Sequence, residues 1–422
     1  MKLKRKLSII LTVCILILTN LTGICLADDI ETEEIDIEGI KGEILETSGN
    51  ISDEPVINSR AAIVFDRNSK CILYSKNADI KKAMASTTKI MTSIIVLENC
   101  EDLNRTVTIT QKAAGTGGSR LGLKKDDKIT IYDLLYGLML RSGNDAAVAL
   151  AIEIGGSIEG FADLMNAKAK ELGLANTHFV TPHGLDNNEH YTTAYELAVL
   201  TDYALKNEEF AKIVGTKNYT ITVNGSPKQL NNTNELLGVL NGVVGVKTGF
   251  TNNAGRCLVT ETKRGDMDII TVVLGADTKK YRTKDSIELI EYTFSNFTKV
   301  NIQEKAEEEF ESWKAINLNR INLIKSKQSK INLKLSEFEK VNVPIRKDKI
   351  DSIEYCINAI SEIEAPIEQN RKIGTLTIKL DGEILESIDI ICSEKVERKT
   401  WWNYFKESLL KCQTIYKYLY EN

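Results

Sequence analysis

Strand-like runs stand at the two ends of a long helical stretch, and this arrangement constrains the fold more than any other feature of the chain. "AAIVFD" (61–66) and "CILYSK" (71–76) read as a hairpin turning at Asn68 and Ser69. Strands return only at "GVVGVKTGF" (242–250), "RCLVTETK" (256–263) and "DIITVVLGA" (268–276), the last two joined by the turn Arg264-Gly265-Asp266. Between the two groups lie helical periods from Met84 to Asn99 and over 129–140, 144–155, 158–173 and 193–205, interrupted by a Pro-, Gly- and Asn-rich loop at 178–191. Another helix near 283–297 closes the region. The expectation is an α+β catalytic unit, 55–298: an antiparallel sheet fed from both ends, with a helical cluster on one side.

Past Val300 the pattern changes to alternation. "INLKLSEFEKVNVPI" (331–345) and "GTLTIKLDGEILESIDIIC" (374–392) read as half-buried strands with Asp381-Gly382 as a hairpin turn, so 299–398 is expected to be a small all-β domain. The end of the chain, 399–422, holds "WWNYFKESLLKCQTIYKYLY". There Trp401, Phe405, Leu409, Cys412, Tyr416 and Tyr420 form one stripe and Lys406, Lys411 and Lys417 lie off it. A helix with such a wet face does not span a bilayer comfortably; it either lies in a membrane interface or packs on the β domain.

At the other end, Lys2, Lys4, Arg5 and Lys6 precede an apolar run from Ile9 to Leu18, and Cys25-Leu26-Ala27 supplies small residues for cleavage. Residues 1–27 therefore read as an export signal, with a retained membrane helix as the competing reading. Eleven acidic residues against the single Lys41 make 28–54 a solvated acidic linker. A net charge of −5 gives no general attraction to nucleic acid. Six cysteines remain beyond the signal without paired spacing, and none stands beside His178, His183 or His190, which disfavours a zinc site and leaves disulfides undecided.

Chemistry enters at Ser86-Thr87-Thr88-Lys89, where a hydroxyl and an amine three residues apart share one helical face. A serine at a helix N-terminus meets unpaired backbone N–H groups, and a lysine among apolar neighbours has a lowered pKa, so it accepts the serine proton near neutrality. Alone the pattern is weak; Ser408 to Lys411 repeats it inside the terminal helix. Two further motifs add weight. Ser142-Gly143-Asn144 sits in a break between helices, and Lys247-Thr248-Gly249 ends a strand, bringing positive charge, a hydroxyl for a carboxylate, and a glycine that admits a substrate backbone.

These motifs in this order, with "GSRLGL" (118–123), "LLYGLMLRSGNDAA" (134–147), "HFVTPHGLD" (178–186), "HYTTAYELA" (190–198) and "GVKTGFTNNAGRCLV" (245–259), resemble the serine D-Ala-D-Ala carboxypeptidases. These are the low-molecular-mass penicillin-binding proteins of bacterial cell walls. The resemblance extends over nearly all of the mature chain and implies a β-lactamase/transpeptidase-like catalytic domain. It implies that Ser86 attacks the carbonyl between the terminal D-alanines of a peptidoglycan stem peptide, with Lys89 as base. Ser142 and Asn144 relay the proton and hold the peptide amide, Lys247 and Thr248 engage the carboxylate beside Gly249, and the backbone N–H groups of Ser86 and Phe250 form the oxyanion hole. It implies no cofactor and no metal, covalent inhibition by β-lactams, and a place at the outer face of the cytoplasmic membrane or in the cell wall, held there by the terminal helix.

Two departures matter. Phe250 replaces a histidine found in some relatives, which touches substrate preference more than the oxyanion hole, and Arg282 is not clearly placed to bind the carboxylate. Two other functions fit less well. A class A β-lactamase needs a glutamate between the second and third motifs, for which "ELGLAN" (171–176) is the candidate, and a catalytically silent wall-binding protein would keep the fold without turnover.

Overall fold

The computed structural model describes residues 35–47 and 54–420; the expected signal lies outside them. The described residues divide into two compact units, with the boundary between Ser295 and Asn296.

In the first unit, β1 (Ala61–Asp66) and β2 (Ile72–Lys76) form the expected hairpin, and β3 (Val243–Thr251), β4 (Gly255–Arg264) and β5 (Met267–Ala276) complete the sheet. The order is β2-β1-β5-β4-β3, antiparallel throughout, so β1 pairs with a strand from the far end of the domain. Every residue of β1 is buried, as in a strand covered on both faces. A short 3₁₀ turn, Ala85–Thr88, leads into α2 (Lys89–Asn99), following α1 (Ile37–Thr47) in chain order. Around α2 pack α3 (Ile131–Leu140), α4 (Asn144–Gly155), α5 (Ile158–Glu171) and α6 (Ala194–Ala204). The Thr130 hydroxyl accepts from Asp133 N to start α3, and the Thr193 hydroxyl accepts from Glu196 N to start α6. A last helix, α7 (Lys279–Asn296), is fixed by Asp285, which accepts from Ser59 N, and by an Arg264–Glu291 pair at 2.8 Å.

The linker expectation needs correction over α1. Ile37, Ile40 and Ile44 recur at helical spacing and are buried, and Glu43 pairs with Lys284 at 2.9 Å, so the acidic surroundings do not prevent a docked helix there.

In the second unit β6 (Leu333–Leu335), β7 (Ile353–Ala359), β8 (Lys372–Leu380) and β9 (Glu383–Cys392) form an antiparallel sheet in the order β6-β9-β8-β7. Asp381 and Gly382 have φ of +50° and +85°, the conformation a two-residue hairpin requires. The domain is not all-β: α8 (Ile302–Asn317) starts at Asn301, whose side chain accepts from Gln303 N and Glu304 N, and buries Ile302, Ala306 and Phe310. The terminal helix α9 (Trp401–Tyr420) falls within the expected 399–422 and leaves Trp401, Trp402, Phe405, Leu409, Leu410 and Ile415 exposed.

Candidate active site

Ala85 opens the nucleophile turn in the left-handed region, at φ +47°, which costs about 1–2 kcal/mol for a residue with a Cβ. Surrounding contacts hold it there. Thr87 N–H and its hydroxyl both bond Met84 O, and the Thr88 hydroxyl donates to Ala85 O at 2.8 Å. The turn presents Ser86, only 4% exposed, to Lys89, which is fully buried.

Lys89 Nζ lies 2.8 Å from Ser86 Oγ, 2.7 Å from Asn144 Oδ1 and 3.0 Å from His183 O. The amide of Asn144 is oriented by its Nδ2, which donates to Gly117 O at 2.8 Å, so Oδ1 faces the amine. The Asn144 and His183 oxygens are carbonyls that only accept, whereas the serine hydroxyl can accept from Nζ or donate to it. A neutral amine has two N–H donors and one lone pair. An ammonium has three donors, so these oxygens suit either form, and what the geometry supplies is an amine within hydrogen-bond reach of the serine hydroxyl, as a general base requires.

The second motif arrives by a similar strain. Ser142 takes φ +58° between α3 and α4, is buried, and its hydroxyl has no hydrogen-bond partner among the described residues. The third motif lies on the edge strand β3 beside the nucleophile: a methyl group on Gly249 would stand 3.0 Å from Ser86 N. Thr248 Oγ1 meets Thr233 Oγ1 at 2.8 Å, and buried Lys247 donates to Thr248 O at 2.9 Å. Phe250 is half-buried with the Arg256 guanidinium 3.9 Å from its ring centre. All eight residues singled out from the sequence thus fall on two adjoining walls, the helical one carrying Ser86, Lys89, Ser142 and Asn144 and the strand carrying Lys247 to Phe250.

Other functional positions escaped the motif reading. Buried Asp145 accepts from the backbone N–H groups of Leu121, Gly122 and Leu123 at 2.9–3.0 Å, pinning the "GSRLGL" loop against Asn144. The loop at 178–191 is a clamp. It gives His183 O to Lys89, and Asp186 accepts from Thr251 Oγ1 at 2.5 Å, one residue beyond Phe250. Arg282 is fully buried and paired with Glu235. Glu171, the candidate lactamase base, stands exposed at the end of α5, paired with Lys168 at 2.8 Å.

Both buried histidines are neutral. Burial, with the nearby Lys89 and His190, pushes His183 down to about 3, and burial with His178 pushes His190 down to about 4. Val180 N donates to His190 Nδ1, so Nε2 carries the hydrogen and donates to Thr88 Oγ1 at 2.8 Å. Because this histidine titrates lower folded than at its ordinary value near 6.5, the unfolded chain binds the extra proton between about pH 6.5 and 4. Stability is full above that window and is lost as pH falls through it, by on the order of 3 kcal/mol. Urea unfolding across that range is expected to show the decline, and His190→Asn to make it shallower, leaving the share that His183 contributes.

A serine–lysine pair under the edge strand of such a sheet defines a penicillin-binding serine peptidase. Residues 48–278 match the family described as D-alanyl-D-alanine carboxypeptidase, and residues 314–398 match the penicillin-binding protein 5 C-terminal domain. The chain is 33% identical to the D-alanyl-D-alanine carboxypeptidase DacF of Bacillus subtilis, over 86% of its length and 92% of that protein's. It is 35% identical to DacC of Escherichia coli over 82% and 86% respectively. The solved D-alanyl-D-alanine carboxypeptidase DacD of Francisella tularensis superimposes with a TM-score of 0.69 at 28% identity, covering 82% of this chain and 96% of that one. The Streptomyces K15 DD-transpeptidase covers 58% of this chain and 99% of its own, with a TM-score of 0.55 at 35% identity. The chain belongs to the D-alanyl-D-alanine carboxypeptidase family and is a serine-type D-Ala-D-Ala carboxypeptidase.

Proposed function

We propose that Ser86 is the nucleophile and Lys89 the base that removes the last D-alanine from peptidoglycan stem peptides. The observation that carries this reading is the 2.8 Å contact between Lys89 Nζ and Ser86 Oγ, both buried and beside Asn144 Oδ1. Ser142 hands the proton to the departing amine, Asn144 holds the donor amide, and Lys247 and Thr248 bind the terminal carboxylate. The N–H groups of Ser86 and Phe250 take the developing oxyanion, an arrangement worth roughly a hundredfold or more per donor. Water then releases the shortened peptide. A β-lactam enters the same cycle and stalls as an adduct on Ser86.

The protein works outside the cytoplasm at the membrane surface, with 1–27 as the export signal and 399–422 as the anchor; residues 55–298 carry the site and 299–398 form the C-terminal β-rich domain. Exposed Trp401, Trp402, Phe405 and Leu409 support interfacial seating of α9, and no described helix is long and apolar enough to cross a membrane. The mature chain is expected to release D-alanine from a diacyl-D-Ala-D-Ala peptide and to co-sediment with anionic phospholipid vesicles. Ending the chain at residue 398 is expected to lower vesicle binding at least about tenfold while D-alanine release persists. Absence of D-alanine release by the intact chain would defeat the catalytic reading, and unchanged sedimentation of the shortened one the anchoring.

A further inference from the structure

We infer that Arg120 selects stem peptides by binding a carboxylate on the residue that precedes the D-Ala-D-Ala unit. The inference rests on the functional reading above, which fixes the direction of the substrate. With its terminal carboxylate at Thr248 and its scissile carbonyl at Ser86, the donor strand runs on past Asn144. Beyond Asn144 lies the loop 117–123. Gly117 O accepts from Asn144 Nδ2 at 2.8 Å, and Ser119 O accepts from Asn144 N at 2.7 Å, so Arg120 follows immediately on the backbone that grips the donor-binding side chain.

That backbone is held firmly. Asp145 takes the N–H groups of Leu121, Gly122 and Leu123, and Lys228 donates to Leu121 O, adding a second cation to the same rim. Gly118, at φ +77°, lies against the Asn144 amide and 3.6 Å from a Leu185 methyl when a Cβ is placed on it, so any side chain there would intrude on Asn144. Ser119 and Leu121 are buried while Arg120 between them is exposed, and no ion pair to Arg120 occurs among the described residues. A fixed loop thus carries an exposed guanidinium on the residue next to the backbone that bonds Asn144, and the group such a guanidinium suits is a planar carboxylate. A lysine-type cation at that position of the donor meets repulsion instead.

The test compares D-alanine release from two acetylated tripeptides, one with a glutamyl and one with a glutaminyl residue before D-Ala-D-Ala. The native enzyme is expected to favour the acidic donor in kcat/KM by about tenfold or more, with the preference shrinking at high salt. Arg120→Gln is expected to bring the ratio near one, and Arg120→Lys to restore part of it. A ratio near one in the native enzyme, or one that survives in Arg120→Gln, overturns the assignment alone. Failure to release D-alanine from either donor, together with no penicillin adduct, overturns the underlying reading and this one with it.

Discussion

Lys89→Arg is expected to lower kcat/KM for D-alanine release by about a thousandfold or more, and to slow penicillin acylation of Ser86 by a similar factor. Arginine keeps the charge and much of the length, so a lysine that merely neutralised a carboxylate would tolerate the change. A base does not, because a guanidinium gives up no proton near neutrality and has no lone pair to receive one. The buried cage sharpens the contrast: Nζ meets Ser86 Oγ, Asn144 Oδ1 and His183 O from a single point, which a forked guanidinium cannot reproduce. The added bulk also strains a fully buried site, so Ser86→Ala provides the control. It removes the nucleophile and little volume, and is expected to abolish the penicillin adduct with near-native thermal stability. If Lys89→Arg acylates at the native rate, proton transfer to Lys89 is excluded.

Much of this site was legible because its chemistry needs particular side chains. Ser86, Lys89, Ser142, Asn144 and Lys247 to Gly249 are short motifs, and the apolar periods placed each on a turn, break or strand where the structure has it. What the sequence hid are contacts whose partners are distant. Nothing marks Asp145 as the acceptor for three N–H groups on a loop more than twenty positions earlier, since an aspartate in the first turn of a helix reads as an ordinary dipole partner. The clamp at 178–191 reads as loop because its proline, glycine and asparagines define only local geometry; its use of carbonyls, as at His183, leaves no side-chain trace. Helix α8 was lost because "EEEFE" dilutes the stripe of Ile302, Ala306 and Phe310, and α1 because acidic composition outweighed three isoleucines.

The second large effect is expected at Gly184. Its φ is +86°, and a Cβ there would stand 1.9 Å from Ala85 O and 2.5 Å from Thr88 Oγ1. Gly184→Ala therefore adds a left-handed alanine to a contact no side chain can share, and the loop must retreat from the nucleophile turn. The stability loss is expected at about 3 kcal/mol or more, from conformational strain of about 1–2 kcal/mol and overpacking of about 1–3 kcal/mol. Activity should fall further than stability implies. The preceding carbonyl, His183 O, retreats with the loop, leaves Lys89 Nζ without one of its two carbonyl partners, and so frees the amine from the serine, for a loss of about a hundredfold in kcat under folding conditions. Gly173 separates the two causes. It too is left-handed, at φ +73°, but nothing lies within 4 Å of its Cβ position, so Gly173→Ala is expected to cost only the backbone strain and to leave turnover unchanged. Equal losses in the two variants would mean that backbone conformation alone, and not the close approach of the clamp to the Ala85 carbonyl, is what the glycine at 184 secures.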